Sequence, residues 1–177
     1  MTRCYLIHGF NTRNRGIADV MLLKADLQKA GFEIKPLTYG WVDRITVRVC
    51  NHHLADLLAD VIKPGSVAVG FSNGCALLQM AAEHGAQFKH LVYIRPALDR
   101  DTRVPPQVKR VDVWHSKDDF WTSVARWIPF SRWGDAGAVG LVVPDNRVYN
   151  HEQKGSHSHA FDDPDLGKKI VEVLTKE

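Results

Sequence analysis

Residues 66–78 read Ser66-Val67-Ala68-Val69-Gly70-Phe71-Ser72-Asn73-Gly74-Cys75-Ala76-Leu77-Leu78. A β-branched apolar run leads into Gly70-Phe71-Ser72-Asn73-Gly74 and a helix-forming apolar run leads out, so a G-x-S-x-G pattern stands where a strand turns into a helix. Such a turn lifts the serine hydroxyl clear of the sheet, and glycines beside it remove the Cβ atoms that would collide there. The start of the following helix points unbonded backbone N–H groups at the same spot, so an oxyanion forming beside Ser72 would meet a donor already in place. The pattern is short, and glycine commonly follows a buried strand. Its meaning depends on partners elsewhere in the chain.

Outward from this stretch, strands alternate with helices. Cys4-Tyr5-Leu6-Ile7 is an apolar strand run that opens onto His8-Gly9-Phe10-Asn11. Val20, Leu23, Leu27 and Ala30 recur at helical spacing, with Gly31 placed to end the helix. Phe32 to Thr38 alternates as a second strand. Residues 45–49 have strand-like composition, yet Val47, Cys50, Leu54, Leu57, Leu58 and Val61 form a stripe of helical period that predicts one helix from about Asp43 to Ile62. After a helix from Asn73 to about Glu83, Leu91-Val92-Tyr93-Ile94 and Val111-Asp112-Val113-Trp114 read as strands, the second ending in His115-Ser116-Lys117-Asp118-Asp119. Arg147-Val148-Tyr149 reads as the last strand. Asp163 as N-cap, Pro164 at the first helical position and Leu166, Ile170, Val171 and Leu174 on one face predict the final helix. The alternation predicts an α/β three-layer sandwich with a mostly parallel sheet of about six strands, its polar loops gathered at the strands' carboxyl ends.

The length of 177 residues suits a single domain whose core needs neither disulfide nor metal. A net charge of +3 with scattered Lys and Arg argues against a nucleic-acid partner. Cys4, Cys50 and Cys75 are odd in number, have no metal-ligand spacing and lie in apolar-periodic segments, as buried thiols of a reducing compartment do. No apolar run approaches the roughly 18 residues of a membrane span, and a strand begins almost at once, so the expected location is cytoplasmic.

A serine hydroxyl is a weak nucleophile near neutral pH and needs a general base, usually histidine, whose tautomer a carboxylate fixes. Strand-end loops supply these types in the order Ser72, then Asp118 or Asp119, then His157 or His159, which is the Ser-Asp-His order of the α/β-hydrolases. Over nearly its whole length the chain resembles a compact α/β-hydrolase of the serine-esterase type. His8-Gly9-Phe10-Asn11 resembles the loop that lends an oxyanion-hole N–H, which implies the backbone of Phe10 as one donor and that of Asn73 as the second. Gly70 to Gly74 resembles the nucleophile elbow. His115 to Asp119 is similar to the acid loop, whose register implies Asp119. Gly155-Ser156-His157-Ser158-His159 before Asp163-Pro164 is similar to the catalytic-histidine loop and implies His157. The chain departs from the family in its shortness and in Ser116, where glycine is often found.

The resemblance implies a serine hydrolase that cleaves a carboxylic ester or related acyl compound through an acyl-enzyme, acting on a small-molecule acyl substrate with no cofactor and no metal. An acyltransferase would use the same site, and a non-catalytic binding domain could keep the scaffold alone. His151, His157 and His159 have no spacing that defines a metal site. Between the acid loop and the last strand, Trp121, Trp127, Phe130 and Trp133 suit either core packing or a small cap over Ser72 formed by residues 120–140.

Overall fold

Strands β1 (Arg3–Ile7), β2 (Glu33–Leu37), β3 (Ser66–Phe71), β4 (Phe88–Ile94), β5 (Val111–His115) and β6 (Val148–Glu152) form one sheet in the order β2-β1-β3-β4-β5-β6, with every neighbouring pair parallel. The computed structural model describes residues 1–10, 17–39, 46–125 and 133–176. From β1 the chain moves to β2 at one edge, returns to lay β3 on the other side of β1, then adds β4, β5 and β6 outward. The winding therefore reverses between β1 and β3. At such a reversal a crevice opens at the carboxyl ends of the two strands. Here those ends lead into His8 and Ser72.

Both faces of the sheet are covered, which is why its strands read as nearly unbroken apolar runs. On one face Tyr5, Ile7, Ala68, Leu91, Tyr93 and Val113 pack against helix α3 (Asn73–Glu83) and helix α2 (Thr46–Val61), through residues such as Leu78, Ala81, Leu54 and Leu58. On the other face Cys4, Leu6, Val69, Val92, Ile94 and Trp114 meet Val20 and Leu23 of a 3-10 turn, Leu27 of helix α1 (Lys24–Lys29), and Ile170 and Leu174 of the last helix (Leu166–Thr175). Cys4 and Cys75 are buried, and none of the cysteines is in a disulfide. Burial pushes the Cys4 thiol up to about 12. Among the described residues no helix is long and apolar enough to cross a membrane.

Several elements differ in extent from the sequence expectation. The run from Val20 to Ala30 is a 3-10 turn, Val20–Leu23, followed by α1; Asp19 takes the Val20 N–H at 2.5 Å. The expected start of α2 near Asp43 lies outside the described residues. β4 begins at Phe88, three residues before Leu91, and β6 runs on to Glu152. The final helix begins at Leu166 rather than Pro164, with Asp165 at its N-cap. Asp163 explains the delay: its carboxylate accepts the Asp165 N–H at 3.0 Å and its carbonyl the Leu166 N–H at 3.1 Å, so Asp163-Pro164 forms a turn ahead of the helix.

Candidate active site

β3 ends at Phe71 and α3 begins at Asn73, so Ser72 alone makes the turn between them. Its backbone sits at φ 52 and ψ −118, a conformation that costs a non-glycine residue on the order of 1–3 kcal/mol unless the surroundings impose it. They do so through three backbone bonds: Ser72 N–H to Ile94 O at 3.0 Å, and Ser72 O from Cys75 N at 3.1 Å and Ala97 N at 3.2 Å. The flanking glycines serve close approach. A Cβ at position 70 would lie 2.8 Å from Cys75 N, and one at position 74 would collide with the carbonyl oxygens of Ile7 and His8. The first turn of α3 therefore lies directly on the end of β1, which brings the His8-Gly9-Phe10 segment beside Ser72.

Ser72 Oγ lies 2.9 Å from His157 Nε2, and His157 Nδ1 lies 2.7 Å from Asp119 Oδ2. Asp119 is fully buried and stands just before helix α4 (Phe120–Ala125), where its other oxygen accepts the Thr122 N–H at 3.1 Å. One carboxylate thus caps a helix and holds an imidazole. The His157 ring also rests on Phe71, the residue before the serine, with centroids 5.1 Å apart. Asp118, the neighbouring acid, turns elsewhere and accepts the Gly155 N–H at 3.2 Å. His159 is exposed, with Nδ1 2.5 Å from Ser156 Oγ in its own loop. A hydroxyl, an imidazole and a buried carboxylate in series can move the hydroxyl proton to the ring while the carboxylate stabilises the resulting cation.

Phe10 and Asn73, the residues expected as oxyanion donors, follow the carboxyl ends of the neighbouring strands β1 and β3. Asn73 is fully buried, and its Oδ1 accepts from Asn51 Nδ2 at 2.9 Å and Trp133 Nε1 at 3.1 Å, while its Nδ2 donates to Tyr39 OH at 3.3 Å. Tyr39 OH in turn donates to His8 O at 3.2 Å, and its ring stacks on His8 with centroids 4.4 Å apart. Burial raises the Tyr39 pKa, so the phenol stays a neutral donor. One hydroxyl thereby ties the loop after β1 to the start of α3. His8 orients that loop further, with Nε2 3.1 Å from Thr38 Oγ1 and Nδ1 2.8 Å from Gly9 O. The rings of Phe10 and Trp133 meet edge to face at 5.3 Å.

Sequence reasoning missed Tyr39, Asn51 and Arg95. Arg95 is a fully buried arginine after β4 whose guanidinium bonds the loop that carries His157. Of the aromatic residues in the expected cap, Trp127 and Phe130 lie outside the described residues, and Phe120 and Trp121 are exposed on α4. His151, His157 and His159 go to different partners, His151 to Asp112 on β5. Among the described residues no group of three or more His, Cys, Asp or Glu side chains could hold a metal ion.

No protein-family model and no curated protein matches the sequence. Solved structures do. Alpha/beta hydrolase domain-containing protein 10 from mouse superposes with a TM-score of 0.63 at 14% identity, over 97% of this chain and 87% of that one. An esterase of Pyrococcus furiosus gives 0.63 at 12% identity, over 98% and 82%. A monoacylglycerol lipase of Paleococcus ferrophilus gives 0.59 at 14% identity, over 97% and 91%. Sequences this far apart share a chain trace rather than side chains, and the trace runs through nearly the whole molecule. The chain has the α/β-hydrolase fold.

Proposed function

We propose that the protein is a serine hydrolase that cleaves a carboxylic ester or related acyl compound through an acyl-enzyme. The observation that supports this most is the continuous hydrogen-bonded series Ser72, His157, Asp119 at the crevice between β1 and β3. In this reading Ser72 Oγ attacks the acyl carbon while its proton passes to His157 Nε2, and Asp119 stabilises the imidazolium. The amides of Phe10 and Asn73 receive the oxyanion, whose charge is greatest when the carbonyl carbon is tetrahedral. Collapse expels the alkoxide, which takes the proton from His157. Water then repeats the sequence on the acyl-serine, giving the carboxylic acid and the original hydroxyl. The esterase and the lipase that share the fold act on esters, as their names say, which supports a carboxylic ester as one substrate class. A fluorophosphonate probe tests the proposal. The expected result is one covalent adduct per chain, mapped to Ser72 by peptide mass spectrometry and absent from Ser72→Ala; an unlabelled protein, or a label elsewhere, overturns it.

A further inference from the structure

The imidazole of His157 stands on a loop that leaves the sheet after β6, and groups from two other strand ends hold that loop by its backbone. Arg95 follows β4 with its backbone in the left-handed region at φ 47, and its N–H bonds Trp114 O at 2.8 Å. Its side chain is fully buried. A buried guanidinium ordinarily faces a carboxylate. This one instead donates to three consecutive carbonyls, those of Gln153 at 3.4 Å, Lys154 at 3.1 Å and Gly155 at 3.2 Å. The Gly155 N–H goes to Asp118 Oδ2 at 3.2 Å, so both polar groups of that backbone are engaged. Burial lowers the Arg95 pKa while the charges of Asp119 and Asp118 oppose the change, so the cation sits in the field of both acids.

Only Ser156 separates the clamped Gly155 from His157, whose Nε2 must stay within hydrogen-bond reach of Ser72 Oγ. A misplacement of about 1 Å at a reacting group costs on the order of 10²-fold in rate. We propose that Arg95, with Asp118 as its counterpart from the acid loop, is the positioning residue that fixes the His157 backbone for proton transfer. The proposal rests on the serine-hydrolase reading. Arginine suits this place, since a planar fork with several donors can satisfy adjacent carbonyls where a lysine amine cannot reach them together.

The test is a double-mutant cycle on p-nitrophenyl acetate hydrolysis, with thermal melts on every variant. Arg95→Lys keeps the charge and loses the fork, and the expected result is a kcat lower by about 10- to 100-fold with KM within about twofold. In a His157→Ala background the same substitution should change the residual rate by less than about twofold, because its effect passes through the imidazole. An equal loss in both backgrounds, or a folded Arg95→Lys at the wild-type rate, overturns the proposal. Should Arg95→Lys fail to fold, the exposed Asp118→Ala decides: a three- to tenfold loss that vanishes without His157 supports the proposal, and no loss, or equal losses, refutes it. Ser72→Ala separates the two readings. If it keeps full activity the hydrolase reading fails and this proposal with it, whereas an inactive Ser72→Ala beside an unaffected Arg95→Lys removes this proposal alone.

Discussion

β5 and the loop after it supply two carboxylates that meet histidines at almost the same distance. Asp112 lies 2.6 Å from both His90 Nε2 and His151 Nε2, and Asp119 lies 2.7 Å from His157 Nδ1. Closeness therefore does not distinguish them. Asp112 is fully buried within the strand and also accepts from Arg110 Nε at 2.7 Å. Burial pushes its pKa up, but hydrogen bonds from His151, His90 and Arg110 together outweigh burial and hold it well below the usual carboxylate range. The His151 ring is stacked flat on Trp114. Asp119 stands past the end of the strand, and its histidine reaches a serine hydroxyl at the mouth of the crevice. An Asp–His pair in the middle of a strand ties three strands together; the pair beyond the strand's end is the one the proposed mechanism uses, because there the imidazole's second nitrogen faces a hydroxyl.

The largest effect expected from breaking this contrast is at the crevice. Ser72→Ala should lower kcat/KM for p-nitrophenyl acetate by on the order of 10³-fold or more while the urea midpoint stays put, since the side chain is small and its strained backbone is held by main-chain bonds. His157→Ala should match it, and His159→Ala should cost less than about tenfold because its contact lies within its own loop. Asp119→Asn should lose several orders of magnitude through the wrong tautomer of His157. Comparable small losses at both histidines would place the base elsewhere.

At Asp112 the expected pattern is the reverse. Asp112→Asn should leave the rate within about twofold and lower the unfolding free energy by about 3 kcal/mol, since His90, His151 and Arg110 lose a buried partner charge. The pH dependence follows from the sign of the shift. The folded pKa lies below the unfolded value of about 3.9, so this group's contribution is complete above about pH 5 and is lost as pH falls through 4 toward the folded value. Urea denaturation at pH 7 and pH 3.5 should show the gap between wild type and Asp112→Asn narrowing in acid. A gap that widens in acid would mean that the carboxylate is not held ionised by its partners.

How much of this was legible depended on the range of the interactions. The apolar runs at β1, β3, β4 and β5 announced a sheet covered on both faces, and the elbow at Ser72 was legible because strand, turn and helix lie within thirteen residues. Adjacent acids in one loop could not be separated by composition. What separates them is that Asp119 stands where α4 begins and points inward, while Asp118 reaches out to Gly155. Arg95, Tyr39 and Asn51 were illegible for a plainer reason: their partners lie 22 to 60 positions away, and no local pattern marks a buried arginine that bonds carbonyls. Asp112 did carry a signal. A charge inside the run Val111-Asp112-Val113-Trp114 has to find partners once buried, and Arg110, two positions away and just ahead of the strand, is one of them.

The smallest expected effect concerns Trp133, which joins Phe10 to Asn73, the residue after Ser72. Its indole N–H donates to Asn73 Oδ1, as Asn51 Nδ2 also does, and its ring meets Phe10. Trp133→Phe removes the N–H and keeps an aromatic ring, so Asn73 Oδ1 retains one donor and the Phe10 contact is largely preserved. The loss in stability should be about 1 kcal/mol, the net worth of one ordinary hydrogen bond. Because Asn73 and Phe10 are the proposed oxyanion donors, slackening between them should lower kcat by a few fold without the collapse expected at Ser72. Trp121→Ala provides the control, since that ring is 63% exposed on α4 and should leave stability within about 0.5 kcal/mol. The two variants, measured by urea denaturation and by kcat across p-nitrophenyl esters of increasing acyl length, separate wall from cap. If Trp121→Ala alters chain-length preference while Trp133→Phe alters only the rate, α4 contacts the acyl group and Trp133 supports the oxyanion side. If neither variant changes rate or preference, Trp133 serves packing alone, Trp121 does not meet the acyl group, and the coupling of Trp133 through Asn73 to the reaction is wrong.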